Sequence, residues 1–147
     1  MAVTYEHILE AFPPGPPWVE PIPGTPPEII LIERDFRGKS WPEITTQICN
    51  YHSDAYNMLA PEPLAYFLPA FLRAAVADPK GTAAVFLVYF VCSSRSHDRA
   101  LRLLTDEHRD VLFGVVGWLL QNDDGYFASG ERQQYVARLR EWKESAF

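Results

Sequence analysis

The segment LAPEPLAYFLPAFLRAAV, residues 59–76, decides the fold of this chain. It places prolines at positions 61, 63 and 69 of an otherwise apolar run. Proline is accepted in the first turn of a helix, where its missing amide hydrogen is not needed, and is disfavoured further along. The segment therefore predicts a short helical turn begun by Pro61 and Pro63. A second helix is expected to begin around Pro69 and to bury four apolar side chains, Phe71, Leu72, Ala75 and Val76.

Length and composition indicate one domain with a substantial core, because the chain has 147 residues of which 48% are hydrophobic. The longest apolar run, Ala83 to Cys92, has ten residues, about half of what a membrane-spanning helix requires. Cys49 and Cys92 both lie in apolar surroundings typical of reduced thiols. We therefore expect a cytoplasmic protein with no secretion signal, no membrane partner and no cofactor.

Charge is unevenly distributed along the sequence. Residues 1–62 contain nine acidic and three basic side chains, residues 63–147 contain ten of each, and the net charge is −6. No basic residue precedes Arg34. An acidic surface repels a phosphate backbone and attracts basic proteins. The charge pattern therefore argues against nucleic acid as a partner and favours a basic protein.

Capping residues predict where several helices begin. Thr4 is typical of an N-cap and predicts a short helix that ends before Pro13. Ser40 and Glu43 have the spacing of a capping box and predict a helix from Trp41 to about His52, whose buried side chains are Ile44, Ile48 and Tyr51.

Three further helices are expected in the second half of the chain. Thr82 to Val91 is rich in β-branched and aromatic residues, yet we favour a buried helix, because a lone strand has nothing to pair with. Thr105 predicts the start of the next helix, which ends at the turn residues 122–125. A last helix, 129–143, spaces its apolar side chains for one face, with Tyr135, Leu139 and Trp142 inward.

The segment Pro13 to Pro27 contains eight prolines and two glycines, which exclude a regular helix. We expect an extended strap that lies on the core through Trp18, Val19 and Ile22. The run Ile29 to Ile32 is expected either to form one short strand or to continue the strap. The fold class is therefore all-α, a compact multi-helix single domain spanning 1–147. Its parts are a proline-rich strap at 13–33, a helical core at 36–120 and a C-terminal helix at 129–143.

Three segments, taken in order, resemble an uncharacterised bacterial domain family of unknown function. They are Phe36 to Trp41 with the pattern F-x-G-x-x-W, Leu59 to Leu72 with its proline-punctuated Tyr-aromatic-Leu-Pro-Ala motif, and Leu104-Thr105 at a helix start. The resemblance covers about 36–120 and implies a helical core without implying an activity. Small acidic bacterial proteins of this kind are often similar to immunity proteins of toxin systems.

Two pairs of residues have side chains that bind metals or act as nucleophiles. Cys49 and His52 are three residues apart, and Cys92 and His97 are five apart. Together they have the ligand types of a tetrahedral zinc site, and either pair has the residue types of a cysteine nucleophile with its base. The knuckle glycines usual in structural zinc turns are absent, and Cys49 lies late in its helix, which disfavours a thiolate. We therefore expect no metal ion and no catalytic residue here.

The favoured hypothesis is a non-enzymatic protein-binding module, an immunity or inhibitor protein that neutralises a basic toxin or effector. Its acidic surface would steer association with a cationic partner. The residues expected to bind that partner are Trp18 as an apolar anchor and the carboxylates Glu20, Glu28, Glu33, Asp35 and Glu43. Two alternatives remain open. One is a small metal-dependent or cysteine-dependent enzyme, and the other is an adaptor whose proline-rich strap is read by another domain.

Overall fold

The computed structural model describes residues 3–93 and 98–145. Every regular element in these two ranges is helical, which confirms the all-α prediction. The elements in chain order are α1 Tyr5–Ala11, α2 Glu28–Phe36, a 3₁₀ turn Trp41–Glu43, α3 Thr46–Tyr51, α4 Ala55–Met58, α5 Pro61–Ala77, α6 Thr82–Cys92, α7 Asp98–Arg102, α8 Asp106–Gln121 and α9 Ser129–Glu144.

The central element is α5, which contacts α1, α3, α6, α7 and α8. The predicted break at Pro69 is wrong, because one continuous helix runs from Pro61 to Ala77 with Pro69 inside it. A proline inside a helix costs about 3 kcal/mol. Pro69 is buried, and nine further side chains of α5 are buried with it, so tertiary packing offsets that cost.

The apolar run that allowed either helix or strand is helical, as favoured, and forms α6. It lies between α5, α8 and α9, so almost every face of the helix meets another element. This arrangement explains why the run lacks the polar stripe of a surface helix. The phenol of Tyr56 in α4 donates a hydrogen bond of 2.9 Å to the carbonyl oxygen of Ala83 and fixes the N-terminal end of α6.

The strand or strap expected over Ile29 to Ile32 is instead helical and forms α2. Ile29, Ile32 and Phe36 recur at helical spacing and are buried, and this one-sided packing prevails over the strand preference of a four-residue run. Ile30 and Leu31 point to solvent. The preceding segment, residues 13–25, contains neither helix nor strand, as predicted for the strap.

The helix predicted from Trp41 to His52 is divided into the 3₁₀ turn and α3. Ser40 donates hydrogen bonds from its backbone nitrogen and its hydroxyl to Glu43 Oε2, at 2.7 and 3.1 Å. Thr45 then starts a new helix, since its hydroxyl accepts from the Ile48 nitrogen at 3.2 Å. The new start changes the helical phase, so the prediction that Tyr51 is buried is wrong, and its side chain is 66% exposed.

The predicted helix starts at Thr4 and Thr105 are confirmed. Each threonine side chain accepts a hydrogen bond from the backbone nitrogen of the histidine three residues later. The last helix is also confirmed, with Tyr135, Leu139 and Trp142 buried. The short helix α7 had no counterpart in the sequence prediction. In the two described ranges, no helix is both long enough and apolar enough to cross a membrane.

Candidate functional site

The strap is fixed against the α2 end of the fold by hydrogen bonds. The backbone nitrogen of Trp18 donates to the Lys39 carbonyl at 3.0 Å, and the backbone nitrogen of Ile22 donates to Glu33 Oε2 at 2.8 Å. Arg37 Nε donates to the Val19 carbonyl at 3.0 Å. These bonds place residues 18–22 alongside α2 and the turn that follows it. The segment that carries Glu20 is therefore held against α2 at Glu33.

The three apolar residues predicted to pack the strap on the core differ in burial. Ile22 is buried, Trp18 is half-buried and Val19 is 63% exposed, so the prediction that Val19 packs on the core is wrong. The Trp18 ring packs on Tyr66 and Phe67, with centroids 5.4 and 6.4 Å away. The Trp18 ring, which was predicted to anchor a partner, therefore packs on side chains of α5 in this chain.

Three of the five carboxylates predicted to bind a partner are engaged within the chain. Glu33 accepts from the strap, and Glu43 accepts from Ser40, whose hydrogen bonds lower the pKa of that carboxyl group. Asp35 accepts two hydrogen bonds from Arg34 and lies 2.6 Å from His52. Glu20 and Glu28 are exposed and form no ion pair with another described residue. These two carboxylates are the ones available to a partner.

Asp35 and His52 join α2 to α3. His52 is only 4% exposed, its Nε2 lies 2.6 Å from Asp35 Oδ2, and its ring meets Phe36 edge to face with centroids 5.5 Å apart. Hydrogen bonds from Arg34 and then from His52 lower the pKa of the Asp35 carboxyl group to about 2, against an opposing effect of burial. Asp35 is therefore ionised at neutral pH and gives the buried imidazole a charged partner.

This shift predicts a loss of stability in acid. A carboxyl group with a folded-state pKa below its unfolded value stabilises the fold above about pH 4, and this stabilisation is lost as pH falls towards about 2. Arg34 is exposed to solvent, which screens its charge. We therefore expect ionised Asp35 to contribute only about 1 kcal/mol to the free energy of unfolding.

The measurement is urea unfolding of the wild type and of Asp35→Asn at neutral and acidic pH. The stability difference of about 1 kcal/mol at neutral pH should shrink as pH falls below about 4. Glu20→Gln, at an exposed strap position outside any helix, is the control and should change little over this range. A difference between wild type and Asp35→Asn that stays constant with pH contradicts the assignment.

A groove of about 180 Å³ opens beside this pair, between α2, α3 and α4. We call it the acidic groove, and it is lined by Glu28, Leu31, Ile32, Tyr51, His52, Asp54 and Met58. Its lining contains two carboxylates and no lysine or arginine. Tyr51 and Leu31 are 66% and 40% exposed, so the groove combines negative charge with apolar surface open to solvent.

Sequence reasoning found Glu28 but missed four other members of the acidic groove, the exposed Leu31, Tyr51 and Asp54 and the partly buried Met58. A usable signal was present at Thr45, which is followed by a second threonine and starts its own helix. A helix started there turns Tyr51 outward. Asp54, just before α4, and Met58, at its end, are four residues apart and therefore lie on the same side of that helix.

Of the four side chains considered for metal binding or nucleophilic catalysis, Cys49, His52 and Cys92 are described and all three are buried. Burial raises the pKa of the Cys49 thiol to about 12, although Arg73 opposes the rise, and burial likewise raises the pKa of Cys92 to about 12. His52 is held by Asp35. His97 lies outside the described residues. Within the described ranges, no three side chains of His, Cys, Asp or Glu are grouped closely enough to hold a metal ion.

The loop between α8 and α9 carries Tyr126 and Phe127, two aromatics in a surface loop. Phe127 is buried against Tyr89 and Tyr135, whereas Tyr126 is 64% exposed. The Asp123 carboxylate accepts from the backbone nitrogens of both, at 3.1 and 3.3 Å, and fixes the loop. An apolar pocket of about 120 Å³ lies under this loop, and an ion pair between Lys80 and Asp124 spans its rim.

Comparison of the chain with models of protein families, with curated proteins and with solved structures found no match.

Proposed function

We propose that this chain is a non-enzymatic protein-binding module that neutralises a basic toxin or effector, in the manner of an immunity protein. One observation carries the proposal, namely the acidic groove, where exposed apolar side chains adjoin carboxylates and the lining contains no lysine or arginine. A surface of this kind suits a partner that presents arginine or lysine. Apolar contact supplies affinity, and charge supplies selectivity for a basic protein.

The lining of the acidic groove matches the two parts of an arginine or lysine side chain. The long methylene stem packs on apolar surface, which Leu31 and Met58 provide. The charged head is attracted by the carboxylates of Glu28 and Asp54 and by the ring of Tyr51, through a charge-assisted hydrogen bond and a cation–π contact respectively. Tyr51 is the best candidate for the residue that dominates binding, because exposed tyrosines are frequent at interface centres.

Negative charge is concentrated in the part of the chain that precedes Arg34, to which Glu28 of the groove belongs. Residues 1–33 contain five acidic side chains and no basic one. Glu6, Glu10, Glu20 and Glu28 are all exposed, so their charges act on solvent and on an approaching partner. Charges that remain outside the contact raise the association rate more than they raise the affinity. The proposed binding is therefore expected to depend strongly on salt.

Charge reversal tests this steering. We expect Glu20→Lys/Glu28→Lys to slow association with a hexa-arginine peptide by about tenfold at low salt, and by much less at about 0.5 M salt, where the field is screened. Both residues are exposed, so the fold is expected to be kept. Stopped-flow association at several salt concentrations measures the effect.

The matched control is Glu107→Lys/Glu144→Lys, which changes the net charge equally at exposed positions on α8 and α9. Equal slowing by both double variants would show that only net charge matters and would contradict a defined surface.

The same variants test inhibition, with the product of the neighbouring reading frame as the candidate toxin. Its toxicity should be relieved by the wild type and by the control but not by Glu20→Lys/Glu28→Lys, and the absence of relief by the wild type counts against an inhibitor.

A further inference from the structure

A second groove, of about 380 Å³, lies between α8 and α9 and has the opposite charge. We call it the basic groove, and its lining consists of Gly117, Leu120, Gln121, Arg132, Val136, Leu139, Arg140 and Lys143. Three of these residues are basic and none is acidic, in a chain whose net charge is −6. Its volume falls within the range of about 300–1,000 Å³ that is usual for small-molecule sites.

Helical spacing and one glycine build the basic groove. Arg132, Val136, Arg140 and Lys143 follow one another at four, four and three residues along α9 and therefore share a face. On α8, Gly117 leaves the space opposite that face open. A Cβ atom there would lie 3.5 Å from Leu139 Cδ2 and 4.0 Å from Lys143 Nζ, so the space adjoins both an apolar side chain and an ammonium group.

The basic side chains are placed at the two ends of the groove. Arg132 Nε donates to the Leu120 carbonyl at 2.8 Å, which fixes that guanidinium beside the C-terminal end of α8. Arg140 and Lys143 are exposed at the other end and form no ion pair with another described residue. The nearby carboxylate of Glu141 is already paired with Arg138 at 2.9 Å. The positive charge of Arg140 and Lys143 is therefore available to a ligand.

We propose that the basic groove binds a small amphipathic anion, namely a carboxylate with an aliphatic tail. The tail lies on the exposed side chain of Val136 and over Gly117, where the largely buried Leu139 forms the floor, and the carboxylate is held by Arg140 and Lys143. Neither an inorganic anion nor a neutral alcohol satisfies both parts of such a site. The site shares no residue with the acidic groove, so this proposal and the proposed protein-binding function stand or fall separately.

Octanoate is the probe, titrated into the ¹⁵N-labelled full-length chain and followed by NMR chemical shifts. We expect saturable shifts confined to the neighbourhood of residues 117–121 and 132–143, with a dissociation constant of about 1 mM for a ligand of this size. Octan-1-ol carries a similar tail without the charge, and acetate carries the charge without the tail. Each should bind at least about tenfold more weakly than octanoate.

Two variants locate the octanoate site. Arg140→Ala/Lys143→Ala should weaken binding at least about tenfold, whereas the control Arg99→Ala/Arg102→Ala, which removes the same charge from exposed positions of α7, should not. Gly117→Leu should abolish binding by filling the groove, and thermal unfolding checks that this variant is folded. The proposal is overturned if octanoate gives no saturable shifts up to about 10 mM. Equal binding by the two double variants, or octan-1-ol binding as tightly as octanoate, also overturns it.

Discussion

Phe71→Ala is expected to lower the free energy of unfolding by about 3–5 kcal/mol, the usual range for truncating a buried phenylalanine. Phe71 lies in the middle of α5 and is fully buried. Its ring stacks on Phe36 from α2 with centroids 5.9 Å apart and contacts Tyr56 from α4 at 4.8 Å. Truncation would remove the contact that joins three helices and leave a cavity between rings that are themselves fixed by neighbours.

Urea unfolding at neutral pH measures this loss. Phe71→Leu retains most of the buried volume and should cost about 1–1.5 kcal/mol, so the two variants separate the cavity from the loss of the ring. Tyr126→Ala, at an exposed loop position, should change stability by no more than about 0.5 kcal/mol. A loss of less than about 1 kcal/mol for Phe71→Ala would show that α5 is not the centre of the core.

Arg73→Ala is expected to destabilise the fold by about 2–3 kcal/mol, because it leaves two partly buried backbone carbonyls without their donor. Arg73 Nη2 donates to the carbonyl oxygen of Pro42 at 3.1 Å and also to that of Ile44. The guanidinium carbon lies 5.5 Å from the centroid of Tyr5 and 5.6 Å from that of Trp41. One side chain thus connects α5 to α1 and to the 3₁₀ turn.

Arg73→Lys tests whether the planar guanidinium matters or only its charge. A lysine ammonium cannot reproduce the stacked and forked geometry, so we expect this variant to recover less than half of the lost stability. The control is Arg102→Ala on the exposed side of α7, which should cost no more than about 0.5 kcal/mol. Full recovery by lysine would indicate a purely electrostatic contribution and would contradict the assigned geometry.

Local chemistry allowed most helices to be predicted from the sequence. Thr4 and Thr105 start helices because their hydroxyls satisfy free amide groups, and that preference operates whatever surrounds them. The long apolar run of α6 was also predictable, since in a helical chain it has no strand partner. These features depend on residues within one or two turns of each other.

The errors arose where tertiary packing prevailed over local preference. Pro69 is poor inside a helix, yet the helix continues through it because both sides of that turn are buried. Ile29 to Ile32 looks strand-like over four residues, and its helical period becomes visible only when Phe36 is included. The burial of Tyr51 was predicted wrongly because the helix restarts at Thr45.

The candidate surface was predictable in charge but not in detail. The excess of acidic residues before Arg34 is a property of the sequence, and Glu20 and Glu28, which it led us to expect at a partner-binding surface, are exposed. Which carboxylates are engaged internally depends on contacts between distant residues, such as Glu33 with the Ile22 nitrogen. The acidic groove itself forms only when α2, α3 and α4 come together, so no linear motif indicates it.

The most direct test of the central claim, that the acidic groove holds a cationic side chain, is an NMR titration with Nα-acetyl-arginine amide. Its control is the citrulline analogue, which has nearly the same shape and no charge. We predict saturable shifts for residues 28–32 and 51–58 with the arginine compound, much weaker shifts with citrulline, and loss of the effect in Tyr51→Ala. Shifts spread evenly over the acidic surface, or equal binding of the two compounds, would contradict the account.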